Sequence, residues 1–209
     1  MDLTLDKPAT PGGPSLSRTA DVAYPRRMTG TPTDAALMLR YRDGDLAAFE
    51  TLYRRHNDAL FRYLLRLSLN RAAAEDLYQE VWGRIIKARM RYRPTAKFTT
   101  YLYRIAHNCF VDHVRRNKRY SSDAPIEPDT IPDADRSSPE HDAELARLRD
   151  RLFRILDDLP EEQRDVFLLY EEAGLGLDEI AAITGVNRET AKSRLRYANR
   201  KLKAAFATP

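Results

Sequence analysis

The sequence is poor in the residues on which several functional classes depend. Its 209 residues include one cysteine, Cys109, which excludes an internal disulfide and a cysteine-based zinc knuckle. Only eight residues are glycine, which disfavours a glycine-rich phosphate-binding loop. No apolar run approaches the ~18 residues that a membrane-spanning helix needs. The amino terminus lacks the apolar core of a signal peptide. We therefore expect a protein of the reducing cytoplasm, without membrane insertion.

Apolar side chains recur at steps of three and four residues over most of the chain, which predicts helices. Asp45 is a suitable N-cap for the first long helix. The apolar face of that helix is predicted to comprise Leu46, Phe49, Tyr53, His56, Leu60, Tyr63 and Leu67. Further helices are predicted around residues 77–85, 99–116, 145–159, 160–170, 177–184 and 187–206. Because no segment shows the alternation typical of strands, the predicted fold class is all-α.

Two stretches of the sequence lack this periodicity. Residues 1–32 are rich in Pro, Gly, Ser and Thr and are predicted to form a disordered tail, within which Met28 is an alternative start. Residues 120–140 contain four prolines and six acidic residues against one arginine. That composition is typical of a flexible acidic linker. We therefore predict two small helical domains, 33–119 and 141–207, joined by the linker at 120–140.

Residues 177–200 have the layout of a DNA-binding helix-turn-helix. Gly185 is placed for the tight turn, Asn187 is a suitable N-cap for the second helix, and Ala191 and Leu195 are predicted to face inward. The rest of the second helix is basic and polar, so it could enter the major groove and reach base edges or phosphates. A helical hairpin with a solvated basic face is the alternative, but the turn, the cap and the basic face together favour DNA binding.

A second basic segment runs from Arg84 to Arg119 and holds eleven Lys or Arg residues against one acid, Asp112. Basic side chains neutralise phosphates, and exposed aromatic rings stack on unpaired bases. The loop at 94–100 could hold an extruded base. The aromatic residues interleaved with this charge are Tyr92, Phe98, Tyr101, Tyr103 and Phe110. They could instead belong to the core, which we prefer for Phe110. Phosphate contacts are expected of Arg115, Arg116, Lys118 and Arg119.

Three segments resemble bacterial sigma factors of RNA polymerase. AEDLYQEVWGRIIKA at 74–88 resembles region 2.2, FTTYLYRIAHNCFVDHVRR at 98–116 resembles regions 2.3 and 2.4, and residues 159–203 resemble regions 4.1 and 4.2. Because regions 1.1 and 3 are missing, the chain is identified as a member of the extracytoplasmic-function group of the sigma-70 family. The resemblance implies a non-enzymatic factor, without a cofactor, that binds core RNA polymerase and directs it to the −35 and −10 promoter elements.

The resemblance also implies three sets of functional residues. Contacts with the clamp helices of the polymerase β′ subunit are implied for Asp76, Leu77, Gln79 and Glu80. Recognition of the −10 element is implied for Arg93, Lys97, Phe98, Thr99, Tyr101, Arg104, Asn108, Arg115 and Arg116. Recognition of the −35 element is implied for Arg188, Glu189, Lys192, Ser193, Arg194, Arg196 and Tyr197. Two positions depart from the family pattern: Tyr101 stands where Trp is frequent, and Gly176 stands where a Ser-like N-cap is usual.

The partners implied by the resemblance are core RNA polymerase, through the β′ clamp helices and the β flap, promoter DNA, and an anti-sigma factor. Such a partner could hold the protein inactive at the membrane. One alternative is a helix-turn-helix regulator that acts without core polymerase and does not need the acidic helix at 74–88. Another is a metalloenzyme built on His107, Cys109, Asp112 and His113. Only Cys109 and His113 are spaced one helical turn apart, and no nucleophile–base pair is evident.

Overall fold

The computed structural model describes residues 31–120 and 139–207. Within these ranges the backbone forms eight α-helices and one 3-10 turn, and no strand, which confirms the predicted all-α class. The helices are α1 (Asp34–Arg42), α2 (Leu46–Ser68), α3 (Arg71–Ala88), α4 (Phe98–Tyr120), α5 (Pro139–Asp157), α6 (Glu161–Glu171), α7 (Leu177–Thr184) and α8 (Arg188–Ala207), with the 3-10 turn at Arg89–Arg91 after α3. Nearly all of the predicted tail at 1–32 and residues 121–138 of the predicted linker lie outside the described residues.

Short polar side chains begin several of the helices. The Oγ1 of Thr33 accepts from the Ala36 amide at the start of α1, and the Oδ1 of Asp45 accepts from the Ala48 amide at the start of α2. Asn70 and Asn187 cap α3 and α8 in the same way. Each cap satisfies an amide that has no partner within its helix, which sets where the helix begins. The predicted caps at Asp45 and Asn187 are thereby confirmed.

Helices α1 to α4 form a first helical group around an apolar core. Leu52, Leu60 and Leu64 of α2 are completely buried there. Beside them, the ring of Phe49 stacks on Tyr41 at 4.5 Å between centroids and meets Trp82 edge-on at 5.8 Å. The predicted apolar face of α2 is wrong at its first position, because Leu46 is 74% exposed. Leu46 opens the helix where no neighbouring element covers it.

Helices α5 to α8 form a second helical group. Leu156, Val166 and Leu169 are completely buried in it. Two apolar residues within the predicted helices at 145–159 and 160–170 are largely exposed: Leu148 at 47% and Tyr170 at 44%. In each helix the apolar residues extend beyond the surface that the neighbouring helices cover.

The two helical groups pack against each other, with α6 beside α2 and α7 beside α4. Buried residues of both groups belong to one continuous apolar cluster. The sequence predicts the two groups themselves but contains no sign that they pack together. An apolar face indicates that a helix is covered, but it does not indicate which other helix covers it. The packing positions the candidate functional surfaces relative to one another.

Cys109 of α4 is completely buried, and this burial raises the pKa of its thiol to about 11. Only the thiolate reacts with alkylating agents. We predict that iodoacetamide at pH 8 labels the folded protein about 100-fold more slowly than the protein in urea, where the thiol has its ordinary pKa of about 8.5. Mass spectrometry of timed samples measures the rate. Equal labelling rates in buffer and in urea would contradict the buried position of Cys109.

Candidate nucleic-acid and polymerase interfaces

The turn between α7 and α8 has the geometry of a helix-turn-helix. Gly185 ends α7 at a φ of 69°, in the left-handed region that favours glycine, and Asn187 begins α8. Ala191 and Leu195 are buried against α6 and α7, as predicted, and Ala198 continues the same face. Gly176 has no side chain that could cap α7, and the Glu179 side chain supplies a hydrogen bond at this helix start instead. The Oε2 of Glu179 accepts from the Gly176 amide at 3.0 Å.

The outer face of α8 carries most of the residues implied in −35 recognition. The exposed members of the set are Arg188, Glu189, Ser193, Arg196 and Tyr197, while Lys192 is half-buried. Glu189 lies 3.8 Å from Arg188 and 3.7 Å from Lys192, so it pairs with basic neighbours of its own face. A carboxylate in that position repels phosphate and orients the two basic side chains.

Arg194 belongs to a different face of α8. Its side chain is 22% exposed and pairs with Glu162 of α6. In this conformation Arg194 therefore stabilises the packing of α8 on α6 and does not point outward with the other basic residues. Its implied contact with DNA would require that ion pair to break.

The carboxyl-terminal half of α8 adds basic residues beyond those that the family resemblance implies. A groove along the helix is lined by Lys192, Leu195, Arg196, Asn199, Arg200 and Lys203. The guanidinium of Arg200 lies 5.1 Å from the centre of the Tyr197 ring. The added residues follow Lys192 and Arg196 at helical spacing, which was the available signal. The basic face of α8 therefore extends over about three turns.

The residues implied in polymerase binding do not share one environment on α3. Asp76 and Gln79 are exposed, whereas Leu77 is 1% exposed and belongs to the core. Glu80 pairs with Arg84 at 2.6 Å and with Arg116 of α4 at 3.3 Å. Glu80 and Arg116 were implied for two separate surfaces, and the structure joins them in one ion pair. Asp76 and Gln79 are the members of the set that a partner could reach freely.

The loop before α4 and the start of α4 hold the first residues implied in −10 recognition. Arg93 and Lys97 are exposed, and Thr99 is half-buried. Phe98 is 2% exposed, with its ring against His56, Tyr92 and Tyr101. Phe98 is therefore a core residue in this conformation and cannot stack on a base. Tyr101 remains half-buried at the edge of this cluster, and burial raises the pKa of its phenol.

A polar stripe continues along α4. Arg104, Asn108 and Arg115 are all exposed and follow Lys97 at steps of seven, four and seven residues. Such steps bring side chains onto one face of a helix. The structure thus joins four of the residues implied in −10 recognition into one line, which we call the α4 stripe: Lys97, Arg104, Asn108 and Arg115.

Where the two helical groups meet, acidic residues of the second group contact polar residues of the first. The Oδ1 of Asp165 accepts a hydrogen bond from the Tyr63 hydroxyl at 2.7 Å, and its Oδ2 lies 2.7 Å from the Nδ1 of His107. Burial and the Asp165 carboxylate raise the pKa of Tyr63 well above its ordinary value, so this phenol stays protonated and donates. No sequence signal pairs these residues, because Tyr63 and Asp165 lie 102 positions apart.

Glu179 of α7 makes a further contact between the groups. Its Oε1 accepts from the Thr100 hydroxyl at 2.8 Å and lies 3.5 Å from the Lys97 ammonium. The Gly176 amide, with Thr100 and Lys97, holds the pKa of the Glu179 carboxyl below its usual range. Glu179 is therefore ionised at neutral pH, and it lies at one end of the α4 stripe.

Within the described ranges no helix is both long and apolar enough to span a membrane. The same residues form no group of three or more His, Cys, Asp or Glu side chains that could bind a metal ion. The cluster considered from the sequence is not assembled, because His107 contacts Asp165 and His113 contacts Asn117.

Comparisons with known proteins agree with this architecture. Residues 52–120 match the family model "Sigma-70 region 2", and residues 155–204 match "Sigma-70, region 4". The chain is 37% identical to "ECF RNA polymerase sigma factor SigE" of Mycolicibacterium smegmatis over 78% of its own length and 65% of that protein's. It is 32% identical to "RNA polymerase sigma factor CarQ" of Myxococcus xanthus over 79% of its own length and 93% of that protein's.

Two solved structures share the fold. One is CnrH in complex with the cytosolic domain of CnrY, with a TM-score of 0.61 and 23% identity over 83% of this chain and 97% of that one. The other is the sigma factor RpoE in complex with the anti-sigma factor NepR from Bartonella quintana. It has a TM-score of 0.65 and 24% identity over 77% of this chain and 97% of that one.

Proposed function

The chain belongs to the extracytoplasmic-function group of the sigma-70 family, and from that membership we propose how its surfaces divide the work of a sigma factor. A sigma factor binds core RNA polymerase, directs it to promoters and so allows transcription to begin. One observation carries the proposal: matches to regions 2 and 4 fall, in that order, on the two helical groups, and each group presents an exposed basic face.

Binding to core polymerase is assigned to α3. Asp76 and Gln79 are exposed on this helix, next to the buried ridge formed by Leu77 and Val81. An acidic and amide surface suits a basic helical partner such as the β′ clamp helices, because complementary charge steers and orients the encounter. Leu77 contributes by holding α3 in place, and Glu80 by fixing α3 to α4 through Arg84 and Arg116.

Recognition of the −10 element is assigned to the α4 stripe. Lys97, Arg104 and Arg115 can neutralise phosphates along one strand. Between them, the Asn108 amide can both donate to and accept from a base edge. Tyr101 lies at the edge of the stripe and is the aromatic residue best placed to contact an unpaired base.

Recognition of the −35 element is assigned to the outer face of α8. Arg188, Lys192 and Ser193 lie in its amino-terminal half, the part of a recognition helix that enters the major groove. Arg196, Tyr197 and Arg200 follow on the next turns and can contact the phosphates flanking the groove. Arg194 is assigned to the packing between α8 and α6 because of its ion pair with Glu162.

Partners beyond polymerase and promoter DNA follow from the relatives. The RpoE structure contains an anti-sigma factor, and we assign a partner of that class to this chain as well. The protein is assigned to the cytoplasm, where polymerase and promoters are found. It acts by binding alone: the energy for opening DNA comes from capturing extruded bases, and no bond is hydrolysed.

The test is reconstitution of transcription. The purified full chain is added to core polymerase that lacks any sigma factor, and the transcripts made from fragmented genomic DNA are sequenced. We expect new start sites that share −35 and −10 elements. If the chain neither binds core polymerase nor produces new starts, and no anti-sigma factor has co-purified, the sigma function fails. Tight promoter binding by the free protein at physiological salt would then favour the independent helix-turn-helix regulator.

Replacement of Arg196 by alanine tests the −35 assignment. A lost base or phosphate contact costs about 1–3 kcal/mol, so we expect transcription from promoters that depend on the −35 element to fall about 5- to 150-fold. Arg154→Ala is the matched control, since it removes one exposed positive charge from α5. Promoter-strength measurements on a −35 sequence library also separate two roles for Arg196. Relaxed preference at one position indicates base contact, and uniform weakening indicates phosphate contact. Equal effects of both variants would contradict the assignment.

A further inference from the structure

We propose that Asp34 and His56 form a positioning pair that holds the loop before α4 in the geometry needed to discriminate among bases of the −10 element. The loop comprises residues 93–97. Neither residue of the pair belongs to the α4 stripe, so both act through the buried aromatic rings at the ends of the loop. The inference rests on the proposed assignment of −10 recognition to this stripe, and it adds residues of α1 and α2 to that recognition.

The loop is exposed between two buried ends. Every residue from 93 to 97 has an exposed side chain. Tyr92 before the loop is 3% exposed, and Phe98 after it is 2% exposed. Inside the loop the Thr95 amide donates to the Arg93 carbonyl at 2.9 Å, which tightens the chain locally without tying it to another helix. The backbone path of the loop therefore depends on where Tyr92 and Phe98 are held.

Both ends of the loop belong to one aromatic cluster with Tyr101. The ring of Tyr92 meets Tyr101 edge-on at 5.2 Å between centroids and Phe98 edge-on at 6.4 Å, and the Phe98 ring lies 6.1 Å from that of Tyr101. Aromatic pairs prefer such edge-on and tilted arrangements. Because each ring packs against the other two, a displacement of Phe98 also displaces Tyr101, the aromatic residue best placed to contact an unpaired base.

His56 of α2 supports this cluster. Its ring lies 5.3 Å from the Phe98 ring, at an angle of 51°. Its Nε2 lies 2.7 Å from the Oδ2 of Asp34. An ionised carboxylate only accepts hydrogen bonds, which assigns the hydrogen of this contact to Nε2. The hydrogen bond fixes the rotation of the imidazole, and the imidazole in turn limits where the Phe98 ring can lie.

Asp34 is itself held in place. It is the first residue of α1, directly after the N-cap Thr33. Its Oδ1 accepts from the Nη1 of Arg55 at 2.7 Å, and the same nitrogen donates to the Pro32 carbonyl at 2.8 Å. The Asp34 side chain is 25% exposed, and the His56 side chain is 12% exposed. Because partial exclusion of water strengthens a hydrogen bond, the start of α1 gives the imidazole a firm support.

Asp34 also lies close to the other end of the loop. Burial raises the pKa of the Tyr92 phenol, and the neighbouring Tyr101 and the Asp34 carboxylate raise it further. The phenol is therefore uncharged at neutral pH. Its buried hydroxyl has no hydrogen-bond partner among the residues that the structure describes. Because no hydrogen bond from this hydroxyl anchors the ring, the position of Tyr92 depends on packing against its neighbours.

Positioning affects base discrimination more than it affects attachment to DNA. Phosphate contacts from flexible basic side chains tolerate a displaced loop, and they carry no sequence information. A group that distinguishes one base from another must be held within roughly 0.5 Å of its productive geometry. Weakening the pair should therefore relax the base preference at −10, while the affinity for core polymerase and the base preference at −35 stay unchanged. A histidine that only fills space in the core has no such selective effect.

Two substitutions break the hydrogen bond while they keep much of the packing. His56→Phe keeps a ring against Phe98 but has no donor for Asp34. Asp34→Leu keeps the size of the side chain but has no acceptor for His56. Asp34→Asn is the conservative counterpart, since its amide oxygen can still accept from Nε2. Asn70→Ala is the matched control, because it removes one hydrogen bond, the N-cap of α3, from the same helical group and does not touch the loop.

The experiment measures base preference in the reconstituted holoenzyme. Full-length wild-type and variant chains are combined with core polymerase and with promoter libraries in which either the −10 or the −35 element is randomised. Sequencing of the transcripts gives, for each position, the ratio of the preferred base to the other three. We expect Asp34→Leu and His56→Phe to lower the largest −10 ratio about tenfold and to change the −35 ratios less than about twofold. Asp34→Asn should restore most of the −10 ratio, and Asn70→Ala should leave it unchanged.

A second measurement does not depend on transcription. 2-Aminopurine is placed next to the −10 position with the strongest preference, and its fluorescence decay is recorded in the complex of holoenzyme and promoter DNA. The decay depends on how the base stacks on its neighbours. We expect one dominant lifetime with the wild type and with Asn70→Ala, where the extruded bases are held in one geometry. Asp34→Leu and His56→Phe should give a spread of lifetimes.

Several results would overturn the inference. Unchanged −10 ratios in Asp34→Leu or in His56→Phe, with circular dichroism showing a folded chain, would exclude the positioning role. A parallel fall of the −35 ratios, or an equal −10 loss in Asn70→Ala, would indicate general destabilisation instead. All of these results leave the sigma function standing, because the wild type still initiates at its promoters. If the wild type initiates no transcription, the sigma function fails and the inference fails with it.

Discussion

Asp76→Arg is expected to abolish promoter-specific transcription by the reconstituted polymerase without unfolding the protein. Asp76 is exposed on α3, so the substitution removes no buried contact and the free energy of unfolding should change by less than about 0.5 kcal/mol. At an interface with a basic partner, the reversed charge places like charges against each other, which costs several kcal/mol. Since about 1.4 kcal/mol corresponds to a factor of ten, the affinity for core polymerase should fall at least about 100-fold.

Glu75→Arg is the matched control for this charge reversal. Glu75 is the neighbouring residue of α3, is 49% exposed and pairs with Arg71 one turn earlier in the same helix. The two variants carry the same net charge and differ only in the face of α3 that is altered. Competition for core polymerase with a labelled wild-type chain measures the affinity, and urea unfolding checks the fold. An equal loss of affinity for core polymerase in both variants would indicate a long-range electrostatic effect and contradict the assignment of Asp76 to the polymerase interface.

Leu60→Ala is expected to lower the free energy of unfolding by about 2–5 kcal/mol, the range for truncation of a leucine in a well-packed core. Leu60 is completely buried in α2, where its loss leaves a cavity that the surrounding helices fill only in part. Leu46→Ala, in the same helix, should change the free energy of unfolding by less than about 0.5 kcal/mol, because Leu46 is 74% exposed.

Urea titration followed by circular dichroism measures both variants. The pair separates two descriptions of α2. Periodicity alone places Leu46 and Leu60 on one apolar face and predicts that truncating either leucine lowers the free energy of unfolding by a similar amount. The structure predicts a large loss for one and almost none for the other. Comparable destabilisation by the two substitutions would mean that the amino-terminal turn of α2 is covered in solution.

Much of the local structure could be predicted from the sequence. Helical periodicity located α2, α3 and α4 and the helices of the second group, and Asp45 and Asn187 marked two of their starts. Gly185 marked the turn of the helix-turn-helix. These features depend on residues within a few positions of one another, where spacing, capping and backbone preference act directly. The order of charged segments, together with the family resemblance, was enough to indicate a sigma factor.

Individual side chains within those helices were less predictable. Leu77 and Phe98 are buried although the resemblance placed them at binding surfaces, and Tyr170 is exposed although it continues an apolar run. Periodicity identifies a face of a helix, but how far along that face a neighbour covers it depends on helix lengths and crossing positions. The half-burial of Arg194 has the same origin, because its partner Glu162 lies on another helix.

The sequence by itself determined the helices, their caps and the helix-turn-helix, since each depends on local spacing. Only the tertiary structure decided that the two helical groups share one core, that Asp165 joins Tyr63 to His107, and that Glu179 meets Lys97. These contacts join residues far apart in the chain. The free energy that each contact contributes depends on its burial and on the distance and angle between donor and acceptor. Neither is encoded in the spacing of residues along one helix.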